Sequence, residues 1–276
     1  KLLAFTDNAL HVGYVDLASG KVTQVDTDRY SGPRQVDGVA WSPDSKWFTY
    51  SKQEKSSLRR VYVYSLASAE ATAVTDGLSD AYSPAFDREG KYLYFLASNN
   101  MGLKIGWRDM SSFDRPSTAS AYVVVLRKDL PSPLAPESDE EKVAEEKKPE
   151  AKPEPKKAAA PEVKIDFDRI SQRILALPIP ARDYAGLMPG KAGVLFLLQN
   201  RAGGPGGGGA GGGLYKFDLK ARKTDLFLAG VGSAFVASSG EKILLSEAGR
   251  GNRWRIVGTG AAPKPGDGAL KLEGME

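Results

Sequence analysis

At 276 residues, with 41% hydrophobic and 26% charged side chains, the chain can bury a sizeable core and holds no apolar run near the ~18 residues of a membrane span. The formal charge of +4 is small: residues 136–164 carry nine acids and seven bases, and the 31 bases and 25 acids elsewhere form no stripe, so nucleic acid is not an expected partner. The absence of cysteine excludes disulfides, thiolate metal sites and a Cys nucleophile, and it does not separate cytoplasm from periplasm.

Taken from the start, the chain repeats itself. Lys1-Leu2-Leu3-Ala4-Phe5-Thr6, Lys46-Trp47-Phe48-Thr49-Tyr50-Ser51 and Lys91-Tyr92-Leu93-Tyr94-Phe95-Leu96 align, with successive lysines 45 residues apart. Ala40-Trp41-Ser42-Pro43-Asp44-Ser45 precedes the second copy, and Ala85-Phe86-Asp87-Arg88-Glu89-Gly90 precedes the third. Pro43 presets φ for a tight turn and Asp44 can accept from the backbone ahead of it, so a strand ending at Trp41 reverses into the next. Val15-Asp16-Leu17-Ala18-Ser19 matches Tyr64-Ser65-Leu66-Ala67-Ser68 at an offset of 49, which places a longer loop at 53–58. In the lysine-led strands both faces are apolar: Tyr92, Tyr94 and Leu96 on one, Leu93 and Phe95 on the other. A half-exposed sheet would alternate with polar residues, so each sheet is expected to lie between two others. Four strands per ~45 residues, repeated, predict an all-β fold, a β-propeller.

Residues 136–164 are rich in Pro, Glu, Lys and Ala, cannot offset their ordering entropy by burial, and read as a disordered insertion, or less readily as a docking tail. The β pattern resumes at Ile165-Asp166-Phe167-Asp168 and Arg173-Ile174-Leu175-Ala176-Leu177-Pro178. A Gly-rich loop follows at 203–213, then a strand at Leu214-Tyr215-Lys216-Phe217-Asp218-Leu219 and a weaker repeat at Ser238-Ser239-Gly240-Glu241-Lys242-Ile243-Leu244-Leu245. The expected organisation is propeller blades at 1–135, the insertion at 136–164, further blades at 165–268, and a lead-in to a downstream domain at 269–276. Without the insertion and the Gly run, 236 residues remain, roughly five units of ~45, the first lacking its opening strands. Five open-ended units close a ring poorly, so about two blades are expected to precede Lys1.

The chemistry-bearing residues are few. Gly207, Gly209 and Gly212 match G-x-G-x-x-G, but a strand follows where a dinucleotide site needs a helix, so no cofactor is expected. The single histidine, His11, falls at a repeat position held by Arg60 in the next blade, and periodicity puts no carboxylate or serine beside it. One His and no Cys argue against a transition-metal site. Asp44, Asp80, Asp87, Asp166 and Asp168 fall at predicted turns, where carboxylates serve the backbone. Trp41, Trp47, Tyr50, Tyr92 and Tyr94 follow strand periodicity and read as core. No residue is assigned as catalytic, cofactor-binding or metal-ligating.

Beyond the general turn Ala40-Trp41-Ser42-Pro43-Asp44-Ser45-Lys46, common to TolB-like repeats, three strings are more specific. They are Thr75-Asp76-Gly77-Leu78-Ser79-Asp80-Ala81-Tyr82-Ser83-Pro84-Ala85-Phe86-Asp87, Pro131-Ser132-Pro133-Leu134, and Ile165-Asp166-Phe167-Asp168-Arg169-Ile170 with Leu177-Pro178-Ile179-Pro180-Ala181-Arg182-Asp183-Tyr184. The chain resembles the bacterial branch of the tricorn protease family, in the later blades of its seven-bladed propeller. That resemblance implies a large, cytoplasmic, homo-oligomeric serine peptidase acting on oligopeptide substrates, with this segment as a non-catalytic gate or guide. A periplasmic location stays open. So do a TolB-like protein-binding propeller of the cell envelope and the gating propeller of a prolyl-oligopeptidase-like hydrolase.

Overall fold

The computed structural model of the chain describes residues 1–30, 39–100, 117–135, 161–200, 212–248 and 253–272. These form antiparallel sheets and, apart from them, one 3-10 turn at Ile170–Arg173. Strands β1 (Leu2–Thr6), β2 (His11–Asp16) and β3 (Val22–Thr27) make a three-stranded sheet. Strands β4 (Ala40–Trp41), β5 (Trp47–Gln53), β6 (Arg59–Ser65) and β7 (Glu70–Ala73) make a four-stranded one, as do β8 (Asp80–Phe86), β9 (Tyr92–Ser98), β10 (Ser120–Val125) and β11 (Ile174–Ala176). The last sheet runs β12 (Tyr184–Pro189), β13 (Val194–Gln199), β14 (Gly212–Asp218), β15 (Lys223–Val236), β16 (Lys242–Glu247) and β17 (Trp254–Gly258). No helix among the described residues is long and apolar enough to cross a membrane.

The turn that opens each repeat recurs four times, one residue shorter in the third copy. Ser42 N–H donates to the Trp47 carbonyl at 2.9 Å, Asp87 to Tyr92 at 3.0 Å, Gly190 to Val194 at 2.8 Å and Ala237 to Lys242 at 2.9 Å. The residue closing each turn has positive φ: Ser45 58°, Gly90 69°, Gly193 74° and Gly240 71°. Glycine fills three of the four because it alone reaches that region without a Cβ penalty. Asp44 takes the Lys46 N–H at 3.1 Å and the Ser42 hydroxyl at 2.6 Å, which locks the reversal.

The cores lie between sheets, as strands apolar on both faces require. Val12, Phe48, Tyr50 and Tyr64 fill the first junction; Val61, Val63, Phe86, Leu93 and Phe95 the second; Tyr94, Leu96, Val123, Tyr184, Leu187 and Leu197 the third. Leu93 and Phe95 therefore face one neighbour and Tyr94 and Leu96 the other, each large side chain contributing roughly 1.5–3 kcal/mol of burial. The first strand of a repeat is also bent alike: β8, β12 and the second half of β15 each carry one extra residue against their partner, near Ser83, Ala185 and Gly232. Such bulges curve a strand.

One junction departs from the expectation of separate blades. β15 runs 14 residues, pairing with β14 through its first half and with β16 through its second, so two repeats share one strand. At the junction between β11 and β12, Pro178 and Pro180 remove two N–H donors and force a loop. β15 contains no proline, and the chain passes the crossover with only Gly230 at φ +73°.

The reading of 136–164 as an insertion lies outside the described residues for 136–160, as does that of the Gly run for 203–211. Residues 161–164 are described, and Val163 there is 3% exposed. Its N–H donates to Asp44 Oδ2 at 2.9 Å and its carbonyl accepts from Trp47 Nε1 at 3.3 Å, so this end of the segment packs across the second and third sheets.

Candidate functional site

The four opening turns converge. Trp41, Ser42 and Pro43 from the second sheet, Arg88 from the third, Lys191 and Ala192 from the start of the last, and Ser238, Ser239 and Glu241 from its second half line one cleft of about 660 Å³. Corresponding turns of successive repeats meet only at the centre of the fan, so the cleft marks the propeller axis at one face. Trp41 has two roles: its ring meets Phe48 edge-on at 5.2 Å in the core, and it also forms the cleft wall, which periodicity alone did not reveal.

Arg88 holds this centre together. Its Nε donates to the Gly190 carbonyl at 3.3 Å, and its Nη2 to the carbonyls of Pro189 at 3.3 Å and Ala237 at 3.0 Å. One side chain from the third sheet thus ties the two opening turns of the last sheet. Burial lowers its pKa, though a guanidinium remains charged. Lys191 pairs with Glu241 at 3.3 Å across the same cleft.

The turn aspartates divide by surroundings. Asp87 receives the backbone N–H groups of Glu89, Lys91 and Tyr92, and its pKa is nevertheless raised, chiefly by burial. Asp166 accepts the Lys128 N–H at 2.8 Å, and Asp168 pairs with Lys128 Nζ at 2.7 Å. Asp80 departs from the expectation of a turn: it opens β8, is 1% exposed, and binds the Arg59 guanidinium. The structure does not bring these carboxylates into a metal-ligating cluster among the described residues.

His11 also differs from the expectation. Val12 faces Thr6 as Val61 faces Ser51, so His11 does hold the register of Arg60, yet a carboxylate is beside it. Asp7 Oδ2 lies 2.9 Å from His11 Nδ1, and the His11 backbone N–H, the largest cause, holds the Asp7 carboxyl below its usual range. The hairpin turn makes this pair: Asp7 also accepts the N–H groups of Ala9 and His11, a local feature invisible to a repeat alignment. A histidine–carboxylate pair needs a hydroxyl on the other ring nitrogen to become nucleophilic machinery, and no hydroxyl is bound there among the described residues. Of the aromatic residues, Tyr50 and Tyr94 are fully buried, and Trp47 packs on Phe167 at 5.9 Å. Burial, reinforced by Asp26 at 2.7 Å, raises the Tyr50 pKa. Gly212 opens β14, a strand, so the glycine pattern leads to no helix N-terminus.

Comparison with known proteins agrees with this architecture. Residues 1–257 match the family model described as the tricorn protease second beta propeller domain. The chain is 28% identical over 246 residues to Tricorn protease homolog 1 of Streptomyces coelicolor, covering 86% of this chain and 22% of that protein. It is 23% identical over 257 residues to the Tricorn protease of Thermoplasma volcanium, covering 90% and 23%. The crystal structure of the tricorn protease superposes with a TM-score of 0.69 at 18% identity, covering 94% of this chain and 24% of that one. The chain thus spans about a quarter of the length of the curated relatives it matches. A 45-residue repeat, sheets apolar on both faces and a match along nearly the whole length converge on one assignment: the chain belongs to the tricorn protease family, within its second β-propeller domain.

Proposed function

We propose that this propeller guides oligopeptides toward a catalytic centre carried elsewhere in a tricorn-like serine peptidase, and performs no covalent chemistry itself. The observation that carries the reading is the central cleft, where the opening turns of successive repeats leave about 660 Å³ lined by charged and hydroxyl side chains. Ligand clefts fall at roughly 300–1,000 Å³, enough for several residues of extended peptide. Nucleophilic hydrolysis needs a nucleophile with a positioned base, and His11 with Asp7 lies on a hairpin away from the cleft lining.

The test labels this segment, which carries no cysteine of its own, after any cysteines elsewhere in the peptidase have been replaced by serine. Ser238→Cys in the full-length peptidase, labelled with a bulky maleimide, places an obstacle in the cleft. Ser19→Cys, labelled likewise on an exposed turn, is the control. Guiding predicts that the cleft label slows hydrolysis of oligopeptides while small chromogenic substrates are cleaved at the control rate. Equal oligopeptide rates for the two labelled proteins would refute it.

A further inference from the structure

The guiding role proposed above leaves open what feature of a peptide the cleft recognises, and this inference rests on that role. Arg88 supplies the clearest answer. All of its described acceptors are backbone carbonyls, which orient the guanidinium but carry no formal charge. The neighbouring ionic groups are already matched: Lys191 with Glu241 at 3.3 Å, and Lys91 with Glu89 at 2.7 Å. Asp87, adjacent in sequence, is buried and filled by three backbone N–H groups. No carboxylate pairs with Arg88 among the described residues, and its Nη1 makes no hydrogen bond there. Nε and Nη2 are anchored, so the fork is held rigid with one arm unused. Its charge sits half-buried at the wall of the cleft, where burial weakens its hydration.

A pre-oriented, partly desolvated guanidinium with Nη1 unused and no counter-charge is a receptor for an anionic oxygen. We propose that the central cleft binds a carboxylate of the guided peptide on Arg88. Trp41 and Pro43 form the apolar wall beside that carboxylate, and Ser238 and Ser239 line the cleft as well. Two sources offer the same group, a peptide C-terminus and an Asp or Glu side chain.

The experiment uses the full-length protein, its peptidase serine blocked with a fluorophosphonate, and one hexapeptide without charged side chains, capped at its N-terminus by an uncharged BODIPY dye, in three forms: free C-terminal acid, C-terminal amide, and amide with one internal Gln changed to Glu. Binding is read by fluorescence anisotropy at low salt. The free acid is expected to bind about tenfold tighter than the amide. Arg88→Gln should bring that ratio to about one, and Arg88→Lys, which keeps charge but loses the carbonyl ties that orient it, should give a smaller ratio than wild type. If the Glu-containing amide binds like the free acid, side-chain carboxylates are recognised too; if it binds like the plain amide, the C-terminus is the source. Where Arg88→Gln fails to fold, Arg88→Lys locates the effect, and Lys191→Gln, which leaves the Arg88 ties in place, should keep the wild-type ratio. Equal binding of all three forms overturns the carboxylate proposal while guiding stands. A ratio that survives in Arg88→Gln also overturns it. If no form binds and the cleft label leaves oligopeptide hydrolysis unchanged, the guiding role itself has failed.

Discussion

The Asp80 carboxylate receives the Arg59 guanidinium through two arms, Nε at 2.9 Å and Nη2 at 2.6 Å, and takes the Arg59 backbone N–H at 2.9 Å as well. Asp80 begins the third sheet and Arg59 the third strand of the second, so the pair fastens one blade to the next with almost no solvent on the acid. Arg59 also lies over the Tyr82 ring at 4.2 Å. Removing one partner of a buried ion pair costs about 3–5 kcal/mol, because the other charge loses its compensation. Asp80→Ala is therefore expected to lower the urea midpoint by that equivalent with little change in slope. A loss below about 1 kcal/mol, the range of a surface pair, would show the junction is held by its apolar core alone.

A second prediction concerns Gly90 and Val163. A Cβ added to Gly90 would stand 2.6 Å from Val163 Cγ2, and its φ of +69° already disfavours any other residue. Gly90→Ala should cost about 1–3 kcal/mol from overpacking and strain. Combining it with Val163→Ala removes the clash but not the strain, so the double variant should lose less than the two single variants together. Strict additivity in the denaturation cycle would mean Val163 does not pack against this turn.

Asp87 gives a pH dependence with a defined sign. Burial raises its folded-state pKa above 3.8, so the protonated acid is favoured in the folded chain. Its contribution is fully present below the unfolded pKa and is lost as pH rises through the folded value. Relative to Asp87→Asn, the wild type should gain stability as pH falls from 7 toward 4. Guanidinium titrations of both proteins across that window measure it; a difference that shrinks on acidification would mean the backbone donors outweigh burial.

How much of this was legible beforehand depends on where the information lies. The opening turn was readable because Pro43 and Asp44 act locally. The double-faced packing was readable because strands of Leu, Phe and Tyr leave nothing to face water. The shared strand β15 was not, since a missing loop has no signature beyond an absence of proline. Nor was the role of Val163, a single apolar residue after a long charged run, whose partners Asp44 and Trp47 lie more than a hundred residues earlier. The cleft was invisible for a related reason: Trp41, Arg88, Lys191 and Ser238 come together only once the sheets are fanned.

For His11, the expectation is a lack of effect. It and Asp7 are each 36% exposed on a hairpin, and water screens such a pair. On the proposed guiding role, His11→Ala in the full-length protein should leave hydrolysis of both short and long peptides unchanged, with the thermal midpoint within error of the parent. A large loss of turnover for small substrates would make the propeller part of the catalytic apparatus.

The shared strand β15 has a mechanical meaning. Where a crossover loop joins two blades, they can part like pages on a flexible spine. Here no loop intervenes: one strand leaves the ladder with β14 and enters the ladder with β16 at Val231, so the slack between the last two repeats is confined to the bend at Gly230. Along 223–236 the amides bonded to β14 or β16 should then exchange slowly right up to the junction at 231, with no loop-like gap of fast exchange such as 75–79 should show. Pulled apart, the last two repeats would pivot at that point before either ladder loses a hydrogen bond.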